Sequence, residues 1–237
     1  MSTHVVGRTE RGAHVGFGFS THWTWLAIGF LLAFGLPFVL TDLLSLNRDV
    51  FYGVYAVSVF ALVFGWAQST GYDLAAAVRR RWLLAAGLGV ACGALLAVMV
   101  VRTETSTMRP DGLTLAGALL WRGVLYGATD GLLLSAFPIL LVFAACAGKR
   151  FKRRRAGKVL VGAIALAASL AMTAVYHAGY SDFRSGKMRK PLTGDLVWSV
   201  PTLITLNPIG APIAHIGLHT SAVLHSYKTT TFLPPHR

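Results

Sequence analysis

The chain is short of charge and short of cysteine. Only 13% of its 237 residues are Asp, Glu, Lys or Arg, against 54% hydrophobic residues, and the mean hydropathy is +0.59. That leaves too little polar sequence to coat a water-soluble globule of this length, so lipid has to serve as solvent. The two cysteines, Cys92 and Cys146, fall inside or at the end of apolar runs without partner spacing. This excludes a disulfide framework and a thiolate zinc cluster and leaves them as small apolar fillers. Internal repeats, low-complexity tracts and a soluble second domain are missing too. Residues 1–237 therefore read as one integral membrane domain, with a polar segment over 1–22, three spans over 23–101 and the spans of the candidate site over 113–227.

Acid is scarcer than base: 9 Asp and Glu face 22 Lys and Arg, a net charge of +13. In a soluble protein that balance would point to nucleic acid. Here the cations fall between apolar runs. Arg79, Arg80 and Arg81 occupy one connection, and Lys149, Arg150, Lys152, Arg153, Arg154, Arg155 and Lys158 another, with Phe151 alone interleaved. Basic loops beside spans orient a protein or touch anionic lipid, and these lack the aromatic platforms of a nucleic-acid surface, so no nucleic-acid partner is expected. Arg8 and Arg11 precede the first apolar run, but no small-residue cleavage signature follows it, so it reads as a retained span.

A crossing helix needs about 20 mostly apolar residues. Runs at 23–44, 50–67 and 82–101 each supply one, with Trp23 and Trp25 as interfacial anchors and a kink at Pro37. The runs at 113–147 and 192–227 are each roughly 35 residues, too long for a straight crossing, and bracket a fifth span at 159–177. The expected fold is an all-α polytopic transmembrane bundle of about six to eight spans, with the fourth and last hydrophobic runs broken or doubled. If the fourth run makes one net crossing, both cationic loops share the cytoplasmic side and the cations of 180–190 fall on the other. Pro201, Asn207-Pro208, Gly210 and Pro212 interrupt the last run, and irregular backbone at membrane depth needs protein or a wet cavity to satisfy it.

Within this apolar sequence a few polar residues are candidates for chemistry. Arg122, Tyr126 and Asp130 recur every four residues and form one helical stripe. Charges in a span cost about 2.5 to 3.5 kcal/mol each on insertion scales, so Arg122 and Asp130 are either functional or interhelical glue. They stand two turns apart, and each needs its partner on another span. His215 and His219, at i and i+4, project from one face in the spacing by which helical histidine pairs bind metal, and His225 is turned away. His177 closes the fifth span as a third nitrogen ligand, with Asp130 or Asp182 to complete the site or orient a histidine. The same histidines also fit bonds between helices or a place at the headgroups. The segment 176–184, with His177, Tyr176, Tyr180, Asp182 and Arg184, suits a rim over a membrane cavity and suits an aromatic belt equally.

Trp121-Arg122-Gly123, Thr173-Ala174-Val175-Tyr176-His177 and His215-Ile216-Gly217-Leu218-His219 together resemble the CPBP family of intramembrane metalloproteases, which includes the type II CAAX-processing endopeptidases and bacteriocin-immunity-like proteins. The family pattern is Glu-Glu-x-x-x-Arg, then Phe-x-x-x-His, then His-x-x-x-Asn on successive spans. The resemblance covers 113–224. It departs where Gly117 and Ala118 replace the two glutamates, Thr173 the phenylalanine and His219 the asparagine. It implies a bacterial inner-membrane, multi-pass metal-dependent peptidase with a divalent ion, zinc by type, on His177, His215 and His219. Arg122 and Asp130 would then serve catalysis and a membrane-associated peptide would be the substrate. Two alternatives stand beside it: a non-enzymatic transporter or ion-binding protein with Asp130 as charge relay, and a catalytically inactive membrane scaffold.

Overall fold

The computed structural model describes residues 19–147 and 154–233, so the cations at positions 8, 11, 149, 150, 152 and 153 lie outside the described residues. The described residues are helical, and their one β-type contact is an isolated bridge between Thr107 and Ser226. Five helices are long and apolar enough to cross a membrane: α1 (Ser20–Leu43), α2 (Arg48–Thr70), α4 (Trp82–Thr103), α5 (Gly112–Ala145) and α6 (Arg155–Ala178). A short α3 (Leu74–Arg79) links the second to the third. After α6 come α7 (Ser181–Arg184), α8 (Arg189–Trp198), α9 (Val200–Thr205) and α10 (Gly210–His225). The chain is thus a membrane protein whose helices present apolar surface to a bilayer.

Local chemistry sets the ends. Asn47 caps α2 by accepting from the Asp49 N–H at 2.9 Å, and Gly71 closes it in the left-handed region at φ 66°. Asp73 caps α3 by accepting from the Ala76 N–H. At Pro37 the last turns of α1 pass into a π-helical stretch, Phe38–Leu43, because proline gives no N–H to the ladder.

The fourth apolar run does not fold back. It is one helix of 34 residues, about 51 Å long at 1.5 Å per residue, and makes a single passage. Its regularity is broken twice by π-helical stretches, Leu119–Leu125 and Gly131–Ala136. The last run does reverse. Lys190, at the start of α8, pairs with Glu104 beyond the end of α4, whereas the Asn207 amide after α9 donates to the Val78 and Arg80 carbonyls ahead of α4. The chain then returns along α4, with Gly210 against Gly89, Gly217 against Gly93 and His225 at the Glu104 carbonyl. The Pro-rich break therefore forms a turn at the Arg80 end of the bundle. Leu206 takes a left-handed conformation at φ 54° there, and the Thr202, Thr205 and Asn207 side chains bond to the turn's own backbone.

Small residues let α10 come close to its neighbours. A Cβ on Gly131 would lie 2.6 Å from the Pro212 backbone, and one on Gly127 3.0 Å from the His215 carbonyl. Without a hydrophobic force between helices in lipid, this close backbone approach is what wedges α10 between α4 and α5. The connection carrying Arg79 to Arg81 lies at the same end as the last turns of α5, which line a hollow with Tyr72, Asp73 and Arg80. Three cations of the opposite end are tied to acids: Arg184 to Asp42, Lys190 to Glu104 and Arg122 to Asp49, at 2.8 to 2.9 Å.

Candidate metal centre

The stripe on α5 faces α2 rung by rung. Arg122 donates through Nε and one terminal nitrogen to the two Asp49 oxygens, at 2.9 and 2.8 Å. One turn on, the Tyr126 ring stacks on Tyr52 with centroids 4.0 Å apart. Another turn on, Asp130 Oδ1 accepts from the Tyr55 hydroxyl at 2.8 Å. The two charges of the stripe do find their partners on other helices, as their separation requires, and they end in different surroundings. Arg122 lines a shallow hollow with Asp49, Gly117, Ala118 and Tyr227, over whose ring its guanidinium sits at 5.0 Å. Asp130 is 3% exposed in the middle of the bundle. Gly117 and Ala118 thus lie in the hollow beside Arg122 and not at Asp130.

Around Asp130 the helices bring together the histidines of the last run. One ligand atom each from Asp130, His215 and His219 lies within 4.8 Å of the others, and all three residues are buried. His219 Nε2 stands 3.3 Å from Asp130 Oδ2. The His215 and His219 rings are stacked with centroids 5.7 Å apart, as their i, i+4 spacing dictates. His219 Nε2 thus has the Asp130 carboxylate as its partner, whereas neither ring nitrogen of His215, nor His219 Nδ1, makes a hydrogen bond among the described residues. Three buried nitrogens without partners are costly as plain polar atoms, and each imidazole can offer a lone pair to a cation instead.

The same three residues line a small, partly open cavity of about 30 Å³, bounded also by Tyr126, His177, Tyr180 and Lys190. One water needs about 10 to 15 Å³ on this measure, so the space suits an ion with a water and not a peptide. His177 reaches the cavity but lies outside the close group of ligand atoms. Its Nδ1 donates to the Thr173 carbonyl at 2.8 Å, which leaves Nε2 as the nitrogen with a lone pair. Asp182 is exposed on α7 and takes no part. Tyr176 joins Tyr126 and Tyr180 in a chain of hydroxyls at 2.8 Å spacing, and Phe183 closes on the His177 ring at 4.8 Å. The segment 176–184 therefore does form one wall of a cavity, and its Arg184 is held by Asp42. The chain end returns beneath this wall: Thr229 donates to Glu104 at 2.8 Å, and Phe232 and Leu233 are buried beside the cavity and α4.

One buried acid escapes the sequence reading. Asp195, on α8, has no exposure at all and accepts from the Ser199 and Ser169 hydroxyls at 2.6 and 2.9 Å. An aspartate inside an apolar run is the same signal that marks Asp130, but here it stands among prolines and a polar approach that obscure the run.

Comparison with protein-family models, with curated proteins and with solved structures finds no match to this chain.

Proposed function

We propose that this multi-pass membrane protein holds one divalent transition-metal ion, zinc by donor type, on Asp130, His215 and His219. As the CPBP resemblance implies, we further propose that its activity is hydrolysis of a membrane-associated peptide at that ion. The observation that carries the metal reading is the buried Asp-His-His group, in which both His215 nitrogens and His219 Nδ1 have no hydrogen-bond partner among the described residues. Two nitrogens and a carboxylate oxygen are a common catalytic zinc donor set, and three protein ligands leave a position for water. Such an ion, when bound, supplies Lewis acidity and lowers the pKa of a coordinated water.

The chain's own residues prepare the place. Tyr55, by donating to Asp130 Oδ1, fixes the carboxylate so that Oδ2 faces His219. Gly127 lets the His215 backbone approach α5, so that both imidazoles enter beside Asp130. His177, its proton held on Nδ1 by the Thr173 carbonyl, is our candidate for the proton acceptor that the absent glutamates would have provided. Arg122 is assigned to joining α5 to α2 through Asp49. We read the pair formed by α8 with α9 and by α10 as two further crossings beside the five long helices, with the Arg79 to Arg81 end cytoplasmic. At 16 residues, about 24 Å, α10 is short for a lipid-facing span and is shielded by α4 and α5.

A second reading, an ion-binding or transport protein without hydrolysis, draws on the size of the cavity, which suits an ion and excludes peptide in this conformation. The test is metal content by mass spectrometry on detergent-purified wild type and on a folded His215→Ala, His219→Ala variant, followed by peptide hydrolysis with and without chelator. Stoichiometric zinc that is lost in the variant is expected. Wild type that stays metal-free after reconstitution rules the metal reading out, and metal without chelator-sensitive hydrolysis leaves the ion-binding reading.

A further inference from the structure

A second polar centre lies between α5, α6 and α8, built from oxygen alone. Asp195 Oδ1 is met by Ser199 Oγ at 2.6 Å and by Ser169 Oγ at 2.9 Å. The two serine oxygens are 2.9 Å apart, and Ser135 Oγ stands 2.9 Å from Ser199 Oγ. Ser169 Oγ also lies 2.8 Å from the Leu134 carbonyl. That carbonyl is available for a local reason: the residue four positions on is Pro138, which has no N–H to return to it. The three serines, Asp195 and Thr173 are all fully buried.

Counting protons exposes a deficit. Five oxygen–oxygen contacts of hydrogen-bond length join these groups, and three serine hydroxyls supply one proton each. At least two contacts therefore set lone pair against lone pair when the carboxylate is ionised. Protonating Asp195 mends only one of them. Asp195 Oδ2 makes no hydrogen bond of ordinary geometry among the described residues, and the Thr173 hydroxyl and the Trp198 indole N–H are the further donors that face this carboxylate. Neutral donors leave the charge of a fully buried carboxylate unneutralised, and that calls for positive charge.

We propose that this cluster is a binding site for one alkali cation, sodium by size, held by Asp195, Ser169, Ser199, Ser135 and the Leu134 carbonyl. The shell has no nitrogen or sulfur, which disfavours zinc and its neighbours. It carries a single negative charge, which one monovalent ion neutralises. Hydroxyls and a carbonyl freed from the helix ladder are the ligands with which helical membrane proteins hold such ions. An ion of this radius stands about 2.3 to 2.6 Å from oxygen, so its entry turns the hydroxyl protons outward and spreads oxygens that otherwise close on one another. The site does not depend on the metal at Asp130. It adjoins that cavity through Trp198, whose ring lies 4.1 Å from the His215 ring, and through Thr173, whose carbonyl holds His177.

The experiment is thermal unfolding of the purified full chain in sodium, potassium and choline chloride at equal ionic strength, repeated across pH in choline. Sodium at a hundredfold excess over its Kd should raise the wild-type Tm by roughly 5 °C or more relative to choline. Asp195→Asn should abolish that rise. Should Asp195→Asn fail to fold, Ser169→Ala should still fold and should shift the sodium midpoint upward about tenfold, the loss of one ligand hydrogen-bond equivalent to an ion. Equal Tm in all three salts overturns the proposal. So does a Tm that rises on acidification in choline with no response to sodium, which would make the occupant a proton. A Ser169→Ala variant with the wild-type midpoint also overturns it.

Discussion

Among the described residues two carboxylates are buried, and they are furnished differently. Asp130 meets nitrogens, from His215 and His219, with one tyrosine hydroxyl holding its far oxygen. Asp195 meets hydroxyls, from Ser199 and Ser169, and no imidazole. Both have the same charge and near-complete burial, at 3% and 0% exposure, so charge and depth alone do not set what each can bind. Donor type does: imidazole selects transition metals, and hydroxyl with carbonyl selects hard cations. The helix between them serves both, with Asp130 just before the second π-helical stretch of α5 and Leu134 and Ser135 inside it.

The change that should break both centres together is Gly131→Val. The position opens that π-helical stretch, and even a Cβ would lie 2.6 Å from the Pro212 nitrogen and Cα, atoms that cannot swing aside. Overpacking of this kind costs about 1 to 3 kcal/mol in cores with flexible neighbours, and contact with backbone puts the cost at or above the top of that range. Yield of folded protein and Tm should fall steeply, with zinc content and sodium response lost together. A stable Gly131→Val protein that keeps both would mean that α10 does not need its close seat on α5.

The next change separates the centres. Asp130→Asn should abolish zinc retention and leave the sodium-dependent Tm rise in place. Tyr55→Phe, which keeps the ligand and removes only the hydroxyl that aims it, should weaken zinc about 10- to 100-fold, the usual cost of losing a partner outside the ligands. Competition with a graded chelator distinguishes the two. A Tyr55→Phe affinity equal to wild type would mean that Asp130 is positioned by packing and not by its hydrogen bond.

Much of this arrangement can be read from the sequence, for reasons that differ by residue. Long apolar runs and the cations between them mark the spans because lipid tolerates little else. The i, i+4 pair at His215 and His219 and the stripe of Arg122, Tyr126 and Asp130 are legible because helix geometry fixes which residues share a face. Which of them meet is a matter of how helices pack, and that is decided by glycines whose role appears only in contact. His177 illustrates the limit: sequence places it at the end of a span, and the bundle sets it on the cavity wall while Asp130 joins the close group. Asp195 shows another. Its partner Ser169, and Ser135 that bonds to its other partner Ser199, come from helices far off in sequence, and serine is common enough in spans to signal nothing alone. The reversal of the last run is signalled by its prolines, but its place at the Arg80 end depends on the Asn207 amide finding the Val78 and Arg80 carbonyls.

The smallest effect should come from Arg122, which the resemblance would assign to catalysis. Arg122 forms a two-pronged pair with Asp49, yet the Asp49 side chain is 46% exposed and Arg122 lines a hollow separate from the cavity at Asp130. A half-exposed pair of this kind contributes on the order of 0.2 to 1 kcal/mol, less where lipid headgroups and salt compete. Arg122→Gln keeps most of the side chain's length over the Tyr227 ring and removes the charge. It should lower Tm by a few degrees at most, leave zinc affinity and the sodium response at wild-type values, and be matched by Asp49→Asn, since each variant breaks the same pair. A loss of zinc in Arg122→Gln but not in Asp49→Asn would sink the separation of the two ends of the stripe. The guanidinium would then act on the metal cavity itself, and the ladder between α2 and α5 would be part of the site rather than its frame.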